Sequence, residues 1–73
     1  MKIDYKRIGV RIKAVRHRNK MTQAGLAELT NMSATYISRI ETGEKKASLG
    51  SLIKIAYALN TSLDPLVFDD AFM

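Results

Sequence analysis

Apolar residues recur every three or four positions along most of the chain. Near the start, Ile8, Ile12 and Val15 stand between charged residues, and this spacing is typical of an amphipathic helix, here over about residues 4–18. The same rhythm returns in three later segments, whose expected inward-facing residues are Leu26, Ala27 and Leu29, then Ile37 and Ile40, and then Leu49, Leu52, Ile53, Ala56 and Leu59. The pattern therefore predicts an all-α fold.

Residues that favour helix ends separate these segments. Thr22, Ser33 and Ser48 each precede an apolar segment, and their hydroxyl groups are suited to capping the first turn of a helix. Asn31 and Gly43 stand where helices should end, and both residue types tolerate the left-handed backbone conformation that lets a chain turn sharply. We therefore expect a short second helix, a turn of about three residues and a short third helix.

A short fifth helix is expected near the end of the chain. Asn60 ends the fourth helix, and Ser62 begins the next one with Pro65 in its first turn, where the missing N–H group is tolerated. The side chains available for packing there are Leu63, Leu66 and Val67. The tail, residues 68–73, is more apolar than a free terminus needs to be, and we expect it to cover the core or to meet a second subunit.

The second and third helices, at about residues 22–42, are the most informative part of the chain. Two short helices joined by a tight turn form the geometry with which a recognition helix enters the major groove of DNA, which is about 12 Å wide. The expected outward-facing residues of the third helix, at about residues 33–42, are Ala34, Thr35, Ser38 and Arg39. Such a face is small and polar except for one long arginine side chain, and it suits insertion into a groove.

The distribution of charge favours a polyanionic partner. The 73-residue chain has a formal net charge of +5, and eight of its twelve Lys and Arg residues lie within residues 1–20. Residues 61–73 instead contain three Asp and no basic residue. A basic end of this kind is suited to phosphate groups, but a solvated helix face has the same composition. Charge alone leaves both interpretations open.

Composition argues against several other classes of protein. The chain has no Cys, one His (His17), no paired catalytic carboxylates and no glycine-rich phosphate loop, so we expect no enzymatic activity, no metal and no cofactor. Read as one domain over residues 1–73, it has room for one core, and no small-molecule ligand is expected. No apolar run approaches the roughly 20 residues that span a bilayer, and no signal peptide is recognisable. We therefore expect a cytoplasmic protein without a membrane partner.

Several spaced segments together resemble the Cro/CI-like family of helix-turn-helix regulators, also called the xenobiotic-response-element type. The matching segments are Ile8-Gly9-Val10-Arg11-Ile12 with Arg16, Met21-Thr22-Gln23 with Leu26-Ala27, Met32-Ser33, Tyr36-Ile37-Ser38-Arg39-Ile40-Glu41-Thr42-Gly43, and Leu49 through Ala56 to Leu59. The resemblance covers about residues 8–66. It implies a compact five-helix bundle of the lambda-repressor-like type and a prokaryotic regulator, by family habit a repressor, that binds double-stranded DNA as a homodimer.

The resemblance also assigns base-reading roles on the third helix. Ala34, Thr35 and Ser38 lie at positions that in relatives face base edges or neighbouring phosphates. Arg39 is the side chain on this face that can form a bidentate pair with guanine. We expect Arg39 to contribute most to specificity.

Phosphate-binding roles fall on the starts of the second and third helices. Gln23 matches the family's phosphate-anchoring glutamine, whose amide acts together with the N–H groups at the helix N-terminus. Thr22 beside it and Ser33 at the third helix are expected to contact the DNA backbone in the same way.

Three further residues each have two interpretations. Tyr36 either donates a hydrogen bond to a phosphate through its hydroxyl or is a half-buried structural residue. Lys45 and Lys46 follow the third helix in a loop that in relatives commonly runs along the phosphate backbone, which predicts electrostatic contacts with phosphate. The alternative for both lysines is a solvated loop.

Arg16 and Glu41 match two residues that pair with each other in relatives. The position of Arg16 in the basic first helix suggests a DNA contact, whereas its match implies an internal pair with Glu41. A buried Arg–carboxylate pair would tie the first helix to the end of the third, and loss of one partner would cost about 3–5 kcal/mol. The internal pair is the preferred interpretation.

Three residues depart from the family pattern. Gly25 replaces a helix-favouring or charged residue, Asn31 replaces the usual turn glycine, and Ala47 stands where a proline often precedes the fourth helix. Asn is the best substitute for glycine at a left-handed turn position, and the changes at Gly25 and Ala47 are expected to affect local stability more than recognition. Gly25 is either compensated by packing or allows a neighbouring element to approach closely.

The sequence thus predicts a sequence-specific DNA-binding transcriptional regulator that places its third helix in the major groove. The alternative is a protein-interaction module, such as an antitoxin or a partner-binding subunit with accessory DNA binding, because small helical domains of this fold also serve such roles. A salt-dependent shift of DNA mobility would separate the two.

Overall fold

Five α-helices account for most of residues 3–68, the part of the chain that the computed structural model describes. They are α1 (Tyr5–Arg18), α2 (Gln23–Thr30), α3 (Ala34–Thr42), α4 (Leu49–Ala58) and α5 (Asp64–Val67). Residues 3–68 contain no strand, and the prediction of an all-α, five-helix fold is confirmed. Within the same residues no helix combines the length and the apolar composition that crossing a bilayer requires.

The predicted residues cap the middle helices. The hydroxyls of Thr22, Ser33 and Ser48 each accept a hydrogen bond from the backbone N–H three residues later, at 2.9, 3.0 and 3.1 Å. At the opposite ends, Asn31 (φ 57°) and Gly43 (φ 80°) adopt the left-handed conformation. Each cap satisfies backbone groups that a helix terminus leaves without an intrahelical partner. These local rules fix where α2 and α3 begin and end.

One cluster of buried apolar side chains, drawn from all five helices and the loop before α4, forms the core. Its members are Ile8, Ile12, Leu26, Ala27, Ile37, Ile40, Ala47, Leu52, Ile55, Ala56, Leu59 and Leu66. Val15, Leu63 and Val67 are partly buried against it. Burial of this kind removes apolar surface from water and is the dominant favourable term in folding. The inward-facing residues predicted for α1 and α3 lie in this core or against it.

Three predicted core residues are exposed, which corrects the sequence-based prediction. Leu49 and Ile53 are 66% and 50% exposed, and Ile55 is fully buried in their place. The reason is that α4 is apolar on most of its circumference, so periodicity alone does not select the face that α2 covers. Leu29 is 63% exposed, because α2 instead turns Thr30 inward, where its hydroxyl donates to the backbone oxygen of Leu26 at 2.8 Å.

The start of α5 also differs from the prediction. Ser62 does not cap this helix; Leu63 is the cap residue and makes no side-chain cap hydrogen bond. Pro65 lies in the first turn as predicted, and it brings no N–H group that a cap would have to satisfy. Residues 68–73 were predicted to cover the core or to meet a second subunit. Phe68 is exposed, and residues 69–73 lie outside the described part of the chain.

A glycine allows α1 to cross the end of α3 closely. An added Cβ at Gly9 would lie 2.6 Å from the Glu41 backbone oxygen and closer still to that of Ile40. Gly25 is different, since a Cβ there would contact only Thr22 Oγ1, at 3.2 Å. Gly25 therefore permits no close approach by a neighbouring helix, which corrects one of its two interpretations. Because Gly9 has no side chain, α1 packs directly against the backbone at the end of α3.

Candidate nucleic-acid interface

A three-residue turn joins α2 to α3 and fixes the angle between them. Asn31 and Met32 donate their backbone N–H groups to Glu28 and Ala27, at 3.3 and 2.9 Å, so the end of α2 is closed before α3 begins. Buried Ile37 on α3 packs into the core with the buried residues of α2. One side of α3 is therefore fixed against the core and the other is left outside.

The outer side of α3 holds the four residues predicted to read bases. Ala34, Thr35 and Arg39 are exposed, and Ser38 is half-buried. Positions that differ by three or four residues lie on one side of a helix, so these side chains form one surface. Among residues 3–68, none forms a hydrogen bond or an ion pair with the Arg39 guanidinium. The structure thus brings together one charged, bidentate donor and three small neighbours.

Hydrogen-bond donors lie at the N-termini of α2 and α3. Thr22 and Ser33 use their hydroxyl oxygens as acceptors for the cap bonds, so each hydroxyl proton is available to an external acceptor. Both residues are exposed, and each stands at the positive end of a helix dipole, which favours an anion. This is a suitable arrangement for two backbone phosphates.

Gln23, the first residue of α2, is held by another side chain. Its Nε2 donates a hydrogen bond to Glu41 Oε1 at 3.0 Å, and the residue is half-buried. This contact was not predicted from the sequence, because eighteen positions separate the two residues and no local pattern joins them. The predicted phosphate anchor is therefore linked to the residue predicted to pair with Arg16.

The structure brings Arg16 and Glu41 into a two-point contact. Arg16 Nε lies 2.7 Å from Glu41 Oε2, and Nη2 lies 3.0 Å from Oε1. The remaining Arg16 nitrogen, Nη1, donates to the backbone oxygen of Met21 at 2.7 Å. The two residues are only 5% and 4% exposed, so the Arg16 side chain lies in the interior, as the internal-pair interpretation expects. Buried charges in this geometry compensate one another.

Tyr36 links α3 to α4. Its hydroxyl oxygen lies 3.1 Å from Ser51 Oγ, and the side chain is half-buried. Tyr36 therefore has the half-buried position that its structural interpretation expects. The hydroxyl is engaged within the protein and is not directed to solvent alone.

The loop after α3 presents two exposed lysines. The backbone N–H of Lys45 donates to the Arg39 backbone oxygen at 3.1 Å, so the loop begins tightly against the end of α3. Lys46 Nζ lies 5.7 Å from the centre of the Tyr5 ring, within the range of a cation–π interaction. Lys45 therefore lies directly after the C-terminal end of α3, and the position of Lys46 is restrained by α1.

The basic residues of α1 divide into two groups. Arg16 is buried, and Arg11 donates through Nη1 to the backbone oxygens of Leu66 and Val67 at 3.4 and 3.3 Å, which ties α1 to the end of α5. The exposed basic residues of α1 are Lys6, Arg7, Lys13 and Arg18. Arg7 lies 3.8 Å from the Asp4 carboxylate. Arg11 and Arg16 thus bind groups within the protein, which the number of basic residues in the sequence could not show.

Comparison with known proteins gives consistent sequence matches. The Helix-turn-helix family (HTH_3) matches residues 12–66. The immunity repressor protein of Bacillus phage phi105 is 36% identical over 66 residues, which are 90% of this chain and 46% of the repressor. Control protein C.SmaI of Serratia marcescens is 38% identical over 56 residues, 77% of this chain and 67% of that protein. The chain thus spans less than half the length of the phage repressor.

Solved structures give the same result for the fold. The restriction-modification controller protein C.AhdI of Aeromonas hydrophila superposes with a TM-score of 0.84 at 28% identity, over 86% of this chain and 96% of that one. The P22 c2 repressor, solved in complex with a synthetic operator, superposes with a TM-score of 0.80 at 33% identity, over the same shares of the two chains, 86% and 96%. The lambda-repressor-like fold predicted from the resemblance is confirmed.

Proposed function

Because the chain belongs to the Cro/CI-like helix-turn-helix family of DNA-binding transcriptional regulators, we propose that it recognises a specific DNA sequence as a homodimer and represses transcription by occupying a promoter. The observation that carries the proposal is the outer side of α3. It offers small side chains and one arginine with no partner among residues 3–68, on a helix whose other side is fixed in the core. A rigid helix with such a surface fits the major groove.

Base reading is assigned to the outer side of α3. Arg39 donates a bidentate pair of hydrogen bonds to guanine O6 and N7, the commonest specific contact in DNA complexes. Ser38 and Thr35 supply shorter donors and acceptors, and the Thr35 methyl group and Ala34 offer apolar contact to a thymine methyl. In this arrangement one long side chain sets the main preference and the small residues let the helix lie deep in the groove.

Phosphate binding is assigned to the residues around that surface. Thr22, Gln23 and Ser33 act at the helix N-termini, where N–H groups and the dipole favour an anion. Lys45 and Lys46 add charge without reading sequence. Tyr36 can donate its hydroxyl proton to a phosphate while its oxygen accepts from Ser51, because Ser51 Oγ accepts from Ser48 Oγ and has its own proton to give. Contacts of this kind set the register of the protein on the duplex.

The homodimer and the repression rest on the relatives. The phi105 protein is named an immunity repressor, and the P22 c2 repressor was solved on a synthetic operator. A two-fold dimer would bind two half-sites about one helical turn apart, because operator symmetry mirrors protein symmetry. Residues 68–73, with Phe72 and Met73, remain a proposed contribution to the contact between two copies.

Selection of binding sites from a random duplex pool tests the proposal. At about 150 mM salt, exposed charges are screened beyond roughly 8 Å, so weak charge attraction is suppressed. The expected result is an enriched palindrome whose half-sites lie about one helical turn apart. Weak binding that enriches no sequence and disappears as salt rises would contradict sequence-specific recognition.

The second candidate function is a protein-interaction module with accessory DNA binding. The observation that favours it is the exposed apolar side chains of Leu29, Ile53 and Tyr57, the last of which is 88% exposed. A primarily protein-binding role predicts that no duplex is enriched in the selection above.

A further inference from the structure

A polar cluster within the fold connects two residues that the sequence placed in separate roles. Gln23 belongs to the proposed phosphate-binding set, and Glu41 to a buried ion pair with Arg16. In the structure, Glu41 Oε1 accepts hydrogen bonds from both Gln23 Nε2 and Arg16 Nη2, each at 3.0 Å. The ion pair and the start of α2 are therefore one continuous network, which crosses α1, α2 and α3.

The carboxylate decides which way the Gln23 amide faces. An ionised carboxylate only accepts hydrogen bonds, so it requires the NH2 side of the amide and would repel the carbonyl side. Arg16 binds both Glu41 oxygens, with Nε at 2.7 Å from Oε2, and so fixes the carboxylate in turn. With the amide in this orientation, one N–H of Gln23 binds Glu41 and the second remains as a donor at the N-terminus of α2.

A phosphate requires donors from its protein partner. We propose that Glu41 is a positioning residue for DNA binding: it holds the Gln23 amide as a donor toward the phosphate at the N-terminus of α2, with Arg16 fixing Glu41. This inference rests on the proposed function, because it concerns the phosphate contact assigned to Gln23. The buried pair thereby acts on DNA affinity as well as on stability.

The physical gain is preorganisation. A glutamine side chain free to rotate loses that freedom when it binds phosphate, whereas one already held in place loses less. A free amide is also in the wrong orientation for part of the time. We therefore expect loss of the Glu41 contact to weaken binding to the selected operator about tenfold, which corresponds to about 1.4 kcal/mol.

A double-mutant cycle on operator affinity tests the inference. Glu41→Gln keeps the size of the side chain but lets it present either an N–H or a carbonyl to Gln23, and Gln23→Ala removes the responding group. Affinities are measured at low temperature and corrected for the folded fraction by circular dichroism, with Ile12→Val as a control that lowers stability outside the network. Glu41→Gln is expected to weaken binding about tenfold in the parent and less than about twofold in the Gln23→Ala background.

A second measurement replaces single operator phosphates by uncharged methylphosphonate. The position at which affinity falls does not depend on the stability of the protein variant. The parent is expected to lose affinity at one phosphate in each half-site, and both Gln23→Ala and Glu41→Gln are expected to lose this sensitivity at the same position. An equal loss of affinity for Glu41→Gln in both backgrounds would mean that Glu41 acts through the fold alone. That result would overturn the inference.

The outcomes separate this inference from the proposed function. If Gln23→Ala binds the operator as tightly as the parent, the positioning role is wrong, while the selected operator still establishes sequence-specific recognition. If no operator is selected, the proposed function fails.

Nuclear magnetic resonance of the free protein tests the held amide without a variant. Gln23 is the only glutamine in the chain, so its NH2 signal is unambiguous. Asn19, whose Nδ2 donates to the Leu59 backbone oxygen at 2.8 Å, is the immobilised reference, and exposed Asn31 is the mobile one. The Gln23 amide should be as ordered as that of Asn19. An amide as mobile as that of Asn31 would overturn the inference whatever the DNA measurements show.

Discussion

The two sides of α3 differ in almost every respect. On the inner side, Ile37, Ile40 and Glu41 are buried, and Glu41 forms hydrogen bonds with Arg16 of α1 and Gln23 of α2. On the outer side, Ala34 and Arg39 are exposed, with no side-chain hydrogen bond or ion pair to any residue in the range 3–68. The nine-residue helix thus has one side that holds the fold together and one that is open to a partner. Substitutions on the outer side should therefore leave stability nearly unchanged, whereas those on the inner side should change stability, and at Glu41 DNA binding as well.

The largest effect is expected on the inner side, from Glu41→Ala. Removing the carboxylate leaves Arg16 buried without its counter-charge, which should lower the free energy of unfolding by about 3–5 kcal/mol. Thermal unfolding followed by circular dichroism measures the change. Glu44→Ala, an exposed glutamate in the loop after α3, is the matched control and should shift stability by less than about 0.5 kcal/mol. A Glu41→Ala protein as heat-stable as the parent would contradict a stabilising pair.

Gly9→Ala on α1 should also lower stability, because Gly9 packs against the inner side of α3. The new methyl group would meet the backbone oxygen of Glu41 at 2.6 Å, and backbone atoms move only if the helices shift. We expect a loss of about 1–3 kcal/mol in urea unfolding, as for overpacking elsewhere. Gly25→Ala is the control, since its methyl group meets only the Thr22 hydroxyl, and it should change stability by less than about 1 kcal/mol. Equal behaviour of the two variants would show that α1 and α3 separate easily.

On the outer side, Arg39→Ala should leave unfolding nearly unchanged and alter DNA binding. The expected loss is about 1–3 kcal/mol on the preferred site, with relaxed discrimination at one base pair. Competition binding with operators that differ at single positions measures both. If affinity falls equally for the operator and for random DNA, Arg39 contacts phosphate and does not read a base.

The smallest effect is expected at the edge of the outer side, from Lys45→Ala. A lysine that contacts only phosphate should weaken binding to every sequence alike and lower the salt slope of log K by about 1. Lys54→Ala, an exposed lysine on α4, is the matched control and should leave the slope unchanged. If the slope falls equally in both variants, the DNA-binding surface extends beyond α3 and its loop to α4.

Features determined locally were predictable from the sequence. The caps at Thr22, Ser33 and Ser48 and the left-handed residues Asn31 and Gly43 depend on a few neighbouring positions, and all five lie as expected. The outward direction of the α3 residues follows from the same local periodicity. The family resemblance added the pairing of Arg16 with Glu41, which no local pattern indicates.

Features that depend on how helices cross were not predictable. Periodicity did not choose between Ile53 and Ile55 on α4, because both are apolar and the position of α2 decides which is covered. The contact of Gln23 with Glu41 requires three helices to be placed before two side chains meet. The steric role of Gly9 depends in the same way on the distance between α1 and α3.

Ala34, Thr35 and Arg39 form no side-chain hydrogen bond or ion pair within residues 3–68, which has a consequence for how such a regulator diversifies. Mutations at Ala34, Thr35 and Arg39 disturb neither the core nor the caps, so they should be nearly free of the stability threshold that removes most substitutions. The DNA sequence preferred by a descendant can then change in a few steps while the scaffold is retained. Under the proposed function, the outer side of α3 would both specify the operator and be the surface on which a preference for a new operator is most easily acquired.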